Sequence, residues 1–308
     1  DGSAGLRAWR QLERERGLQL RVVQHLTLPD LDHAHALGID GGFGSDRLVL
    51  GGVKVFIDGT LSSGTAWIHD PQHIRSQPVI ITGVDALIDI ARQAGDAGFP
   101  LVIHAIGDAA CTAAVDALER SHAHWSRLQV MPRIEHAQLM RQSDMQRCAK
   151  LGIALSIQPA HLISDRDLAD EQWSHALHQA YAWKSMVDAG CTLLLGSDAP
   201  IEPLHPRAAL HAATTRDGGA FSLGGARGGW RTEEAIDSID ALRACTSWAA
   251  DAAGLGARYG RLTPGRAADL VVLSDDPTTT PWSDIEIVAT MVGGKWTHGA
   301  ANLAQVRA

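Results

Sequence analysis

Short apolar blocks alternate with longer segments of helical spacing along most of the chain. The blocks are LQLRVVQHL (18–26), LVLGGVKVFI (48–57), LVIHA (101–105), MPRIEH (131–136), IALSIQ (153–158) and CTLLL (191–195), each of a length and β-branched content that suits a buried strand. Between them, apolar positions recur every three or four residues over 4–16, 30–37, 85–97, 109–120, 141–150, 180–189, 204–215, 232–247 and 249–254, which predicts helices. Strands separated by helices build parallel βαβ units, so the expected class is α/β. Thr82 and Asp85 form a capping-box-like start for the helix through Ala97. The stretches 58–77, 159–179 and the Gly-rich 217–229 read as loops, and no short repeat is visible. From Tyr259 onward the helical spacing disappears and turn-separated β segments take over, with Gly293-Gly294 as a hairpin turn. The division is therefore residues 1–256 as the α/β unit and 257–308 as a small β unit. The first helix opens without a cap, and native sequence is expected upstream of it.

A chain of 308 residues that is 45% apolar can bury a full core. Its 27 Lys and Arg against 35 Asp and Glu give a net charge of −8 with no basic cluster, which argues against nucleic acid and anionic membrane surfaces as partners. No apolar run is long enough to span a bilayer, and no signal-peptide pattern opens the chain. Cys111, Cys148, Cys191 and Cys245 fit no paired spacing and read as buried free thiols of a reducing, cytoplasmic compartment.

The candidate chemistry sits at strand ends. CTLLL runs straight into Gly-Ser-Asp, and Pro200 and Pro203 prevent a return to strand, so Asp198 is delivered at the C-terminal end of a buried strand. Lys54, His104 and His136 lie in or at the ends of other apolar blocks. Two imidazoles and a carboxylate from separate strands make a nitrogen and oxygen donor set suited to a divalent metal, zinc above all. A single histidine at a strand end is ordinarily a hydrogen-bonded core residue; the set carries the argument.

The segments GGVKVFIDGTLSSGTA, LVIHAIGDAA, RIEHAQLM, SIQPAHLISDRD, LLLGSDAPIEPLHP and PGRAADLVVLSDDP resemble, in order from about Val22 to Gly299, the amidohydrolase superfamily and its YtcJ-like family 3 branch. The resemblance implies a (β/α)8 TIM barrel of the metal-dependent hydrolase type, here N-terminally truncated, with 257–308 contributing to a β-sandwich built from both chain ends. It also implies a centre of one or two metals, with His104, His136 and Asp198 as ligands and Lys54 as a carboxylated, bridging lysine. The buried surroundings of Lys54 favour the neutral amine that such a modification needs. The family's H-x-H after the first strand has no counterpart in context, because His33-Ala34-His35 and His122-Ala123-His124 follow no strand. That motif is expected upstream of Asp1.

Around this set, His161 and Gln158 are expected to contact substrate. Asp108 is expected either to orient a ligand histidine or to cap the helix after it. Strand alternation turns Glu135 away from the pocket, and Asp58 reads equally as a turn former or a site residue. His69, His73, His175, His178, His205 and His211 are expected in solvent. The implied activity is metal-dependent hydrolysis of a non-peptide C–N bond, an amide, formamide or cyclic amide, in a small molecule, with Asp198 shuttling the proton. A mononuclear deaminase is the alternative within the enzyme class. The alternative outside it is a non-catalytic fragment, inactive alone, whose exposed sheet edge favours a homodimer.

Overall fold

The computed structural model describes residues 2–71, 77–222 and 227–304. Six strands, β1 (Val22–Thr27), β2 (Leu48–Phe56), β3 (Leu101–Ala105), β4 (Arg133–His136), β5 (Ala154–Ile157) and β6 (Leu193–Leu195), pair in chain order and all in parallel, forming a TIM-barrel-like half-barrel with β1 and β6 at its edges. The helices are α1 (Gly2–Arg16), α2 (Leu28–Ala36), α3 (Val84–Asp96), α4 (Asp108–Arg120), α5 (His122–Trp125), α6 (Gln142–Leu151), α7 (Pro159–Gln172), α8 (Trp183–Asp188), α9 (Pro206–Thr215), α10 (Ser238–Cys245) and α11 (Ser247–Ala252). The C-terminal segments form a separate antiparallel sheet of β7 (Leu270–Leu273), β8 (Ile287–Val292) and β9 (Lys295–His298). Gly293 and Gly294, both at positive φ, make the β8–β9 turn as the sequence predicts. No helix among the described residues is long and apolar enough to cross a membrane.

Strand register divides the half-barrel into two chemically distinct faces. Val55, Ile103, Ile134, Leu155 and Leu193 pair in one row, all nearly inaccessible, and share a core with Leu87, Leu118, Met145 and Cys148 from the helices. The neighbouring row on the other face reads Phe56, His104, Glu135, Ser156 and Leu194, and behind it lies Lys54, Val102, Arg133 and Ala154. Side chains alternate along a strand, so helix packing claims one row and leaves the polar row facing the interior.

Several sequence expectations are corrected. The segment from 159 is not a loop: α7 runs through most of it and a 3₁₀ helix follows at Ser174–Gln179. Pro159 occupies the first turn of α7, where its missing N–H costs nothing, so the proline starts the helix instead of ending order. Thr82 does not cap α3; Gly83 is the N-cap, and the Thr82 hydroxyl donates to the Phe56 carbonyl at 2.7 Å. Cys111, Cys148 and Cys191 are buried free thiols as expected, whereas Cys245 is exposed.

β1 carries a buried polar feature. The β1–β2 register slips between Gln24 and Leu26, which sets His25 against Gly51 and Gly52. Only glycine fits there: a Cβ on Gly51 would lie 2.6 Å from the His25 ring, and one on Gly52 2.4 Å from the Pro100 carbonyl oxygen. The Gly52 N–H donates to His25 Nδ1 at 3.0 Å, and Arg133 Nη2 lies 2.8 Å from Nε2. Burial, reinforced by the Arg133 charge, pushes the His25 pKa down to about 3. The unfolded chain protonates this imidazole near 6.5 and the folded chain does not, so its contribution is complete above about 6.5 and is lost as pH falls toward 3. The slope within that window reaches about 1.4 kcal/mol per pH unit. Urea unfolding across it is expected to show a His25→Gln variant losing stability less steeply than the parent; parallel slopes would contradict the buried neutral state.

Candidate metal centre

The mouth of the half-barrel gathers its polar side chains by breaking strand geometry. In register, His136 pairs with Ala105, which places it in the helix-facing row. Its φ is 75° and that of Ala137 is 44°, left-handed values that are uncommon outside glycine and cost on the order of 1–3 kcal/mol each. Backbone bonds hold the break: Ala137 N–H donates to Ala105 O at 3.0 Å and Leu139 N–H to Ile106 O at 2.9 Å. The reversal swings the His136 ring across the mouth, its centroid 4.5 Å from that of His104 and 5.8 Å from that of His161. Asp198, beyond the end of β6, is also left-handed, with φ 57°.

The donor atoms of His136, His161 and Asp198 all lie within 4.8 Å of one another. His136 Nδ1 is buried with no hydrogen-bond partner, a lone pair or proton that the protein itself leaves unanswered. The donor set and this orphaned nitrogen fit a divalent cation. His104 stands beside the group: its Nε2 donates to the Gly59 carbonyl at 3.1 Å and lies 3.7 Å from Asp58. Lys54 sits on the same interior face with Nζ 4.7 Å from the centre of the Phe56 ring.

Electrostatics separates the imidazoles. Burial, with the nearby His104 and Lys54, pushes His136 down to about 3, and burial also lowers His104. Burial works to lower His161 too, but the Asp198 hydrogen bond and the charges of Asp165, Asp198 and Glu202 outweigh it and its pKa is raised. Asp198 is lowered, first by its bond with His161. Burial lowers Lys54 against the pull of Glu135.

The other sequence candidates fall as follows. Gln158 is buried at the N-cap of α7, its Nε2 donating to Ser156 O at 3.1 Å and its Oε1 unpartnered. Asp108 orients no site histidine and is not the N-cap of α4, which is Gly107; its oxygens accept from the His69 N–H at 2.9 Å and from Arg141 Nε at 3.3 Å. Glu135 does not turn away: it pairs with His104 on the interior face, because the backbone reversal, and not alternation, is what brings His136 in. Asp58 is more than a turn former, since its carboxylate accepts from the N–H groups of Trp67, Ile106 and Gly107 at 2.9–3.0 Å and so ties the loop after β2 to the end of β3. His211 is buried, not solvated, because α9 turns it inward; His69, His175, His178 and His205 are exposed, and His73 lies outside the described residues. The two H-x-H strings lie on α2 and α5.

Sequence reasoning missed Arg133, the His25 it contacts, and Glu202. Arg133 Nε donates to Glu135 Oε1 at 2.6 Å and so links His25 to the interior face; a charged pair spaced two apart in a short strand was the available signal. Glu202 approaches His161 only because the chain turns after Asp198, and no local pattern announces that. A cavity of about 380 Å³ lies at the opposite, N-terminal ends of β1 and β2, lined in part by Arg21, Asp46, Arg47, Arg258 and Tyr259, and shares no residue with the mouth.

Residues 1–298 match the family model described as the amidohydrolase family. The chain belongs to the amidohydrolase family. It is 33% identical over 262 residues to the Arabidopsis thaliana protein LONG AFTER FAR-RED 3, covering 82% of this chain and 43% of that protein. It is 28% identical over 254 residues to an N-substituted formamide deformylase of Arthrobacter pascens, covering 79% and 45%. Among solved structures, an uncharacterized metal-dependent hydrolase from Pyrococcus horikoshii superposes with a TM-score of 0.80 at 30% identity, over 92% of this chain and 56% of that one. The amidohydrolase chain thus spans under half the length of these two curated relatives. The resemblance carried by the six sequence segments is borne out.

In this chain the Glu135 carboxylate, buried and lowered by Arg133 and Lys54 against the cost of burial, is the counter-charge for both cations. Glu135→Ala is expected to cost about 3 kcal/mol in urea unfolding, the usual penalty for stranding a buried partner. A loss below about 1 kcal/mol would show that the cations do not depend on it.

Proposed function

We propose that the protein containing this chain is a metal-dependent hydrolase of non-peptide C–N bonds in a small molecule, with zinc as the metal. The observation that carries the reading is the convergence of His136, His161 and Asp198 donors within 4.8 Å, with His136 Nδ1 buried and unpartnered. The formamide deformylase relative supports the bond type. His136, His161 and Asp198 would hold the metal, with His104 and a carboxylated Lys54 the further ligands if a second ion binds. A divalent cation supplies Lewis acidity there, acidifying water and polarising a carbonyl.

The chain's own groups do the rest. His136 and His104 are kept neutral by burial and so offer lone pairs at neutral pH. Asp198, lowered by His161, is ionised and accepts a proton from the attacking water. Water oxygen bonds to the carbonyl carbon, the C–N bond breaks, and Asp198 returns the proton to the departing nitrogen, giving a carboxylic acid and an amine. The unpartnered Gln158 Oε1 is available to accept from a substrate N–H.

Both H-x-H strings sit on helices, which favours a second reading of this chain taken alone: it binds the metal without turnover. The deciding experiment measures zinc stoichiometry and hydrolysis of an N-substituted formamide, for residues 1–308 and for a longer protein that contains them. Zinc at a hundred times its Kd is expected to stabilise the chain by about 2.7 kcal/mol, and His136→Ala to abolish that gain. Asp198→Asn is expected to reduce kcat of the active protein by about 10²–10⁴-fold. Absence of zinc binding and of formamide hydrolysis in the longer protein would overturn the reading; turnover by residues 1–308 alone would overturn the second.

A further inference from the structure

The two histidines of the candidate centre come from segments that no strand pairing holds together. The last β4–β5 pair is Glu135 with Ser156; His136 then leaves the ladder at the left-handed reversal, and His161 lies in the first turn of α7, beyond the end of β5. Their donors still lie within 4.8 Å of one another, so contacts outside the sheet must set that separation.

Tyr181 bonds to both segments. Its N–H donates to the carbonyl of Gln138, two residues after His136, at 2.6 Å. Its hydroxyl donates at 2.8 Å to Oδ2 of Asp165, which lies four residues beyond His161 and so on the same face of α7. Gln138 Nε2 donates to the same Asp165 oxygen at 3.3 Å, which closes the bridge on itself. The main chain on either side runs alongside, with Met140 N–H donating to Gln179 O at 3.1 Å and Leu139 bridged antiparallel to Ala180. Tyr181 is in turn fixed from behind. The completely buried Arg216 donates from Nη1 to the Tyr181 carbonyl at 2.8 Å and stacks 4.2 Å from the centre of the Trp183 ring, while the Tyr181 ring meets Trp183 and Trp230 at near-perpendicular angles, with centroids 6.1 and 5.9 Å away. Backbone, ring and hydroxyl thus have separate anchors, and the place of the hydroxyl is set by packing outside the mouth.

We propose that Tyr181 is a positioning residue whose bridge between Gln138 and Asp165 sets the separation of the His136 and His161 rings. Ligands already held at their bound spacing lose little freedom when a cation arrives, so loosening the bridge weakens affinity without removing a ligand. The consequence for the metal rests on the reading above; the spacing of the rings does not.

Tyr181→Phe is the direct test, because it keeps the ring packing and the main-chain bond and removes only the hydroxyl. In the metal-free chain, proton NMR contacts between the two imidazoles, assigned with His136→Gln and His161→Gln, are expected in the parent and weakened in Tyr181→Phe. Calorimetry with zinc alone is expected to show affinity reduced by about 10–100-fold. Cobalt(II) bound in place of zinc is expected to give a changed visible absorption, a signature that a uniformly less stable fold does not produce. Asp165 separates the bond from the charge near His161: Asp165→Asn and Asp165→Ala both remove the carboxylate, but only Asp165→Ala removes the acceptor. Asp165→Asn is expected to stay near the parent, Asp165→Ala to match Tyr181→Phe, and the double variant with alanine to be no worse than either single change. A folded Tyr181→Phe with the parent's ring contacts and zinc affinity would overturn the proposal, as would equal losses in Asp165→Asn and Asp165→Ala. Failure of the parent to bind zinc would instead overturn the metal reading and leave the ring contacts to decide this one. Asp165→Ala carries the test if Tyr181→Phe does not fold.

Discussion

Everything at the mouth depends on the two-faced character of the parallel sheet. Helices α3, α4 and α6 contribute to one core with the row Val55, Ile103, Ile134, Leu155 and Leu193, and that burial supplies the hydrophobic stabilisation. Because side chains alternate, the opposite row cannot also be helix-facing, and it is here that charge is carried. There Glu135 on β4 compensates Lys54 on β2 and Arg133 on its own strand, and Arg133 also reaches the neutral His25 ring on β1. Their mutual satisfaction is a condition for placing a polar site inside the half-barrel at all.

Onto that row the chain imposes local violations. His136 belongs by register to the apolar face and reaches the mouth only through two consecutive left-handed residues. Such strain survives where surrounding bonds over-determine it, as the Ala137 and Leu139 amides do by bonding to β3 and its continuation. Asp58 plays the matching role next door, gathering three N–H groups from the loop after β2 and the turn after β3, close to His104.

Much of this was legible in the sequence, and the limits have physical causes. Six apolar blocks gave six strands in order, since a strand buried under helices must be apolar over its length. The convergence of His136 and Asp198 followed from their positions at strand ends, and His161 was singled out, though as a substrate contact and not as a donor beside them. Glu135 was misread because alternation holds only while a strand continues, and β4 ends in a reversal that alternation cannot foresee. The helix after Pro159 was misread because proline punctuates in both directions. Glu202, Arg133 and His25 were out of reach because their roles are made by contacts between distant segments.

The same contacts divide labour among the histidines. His104 and His136 lie among Lys54 and each other, where burial and neighbouring positive charge favour the neutral ring. His161 lies among Asp165, Asp198 and Glu202, where negative charge favours the protonated ring despite similar burial. Two groups of similarly buried imidazoles, a few ångströms apart, are thus set to opposite protonation preferences by which charges the strand ends and the turns after them bring alongside.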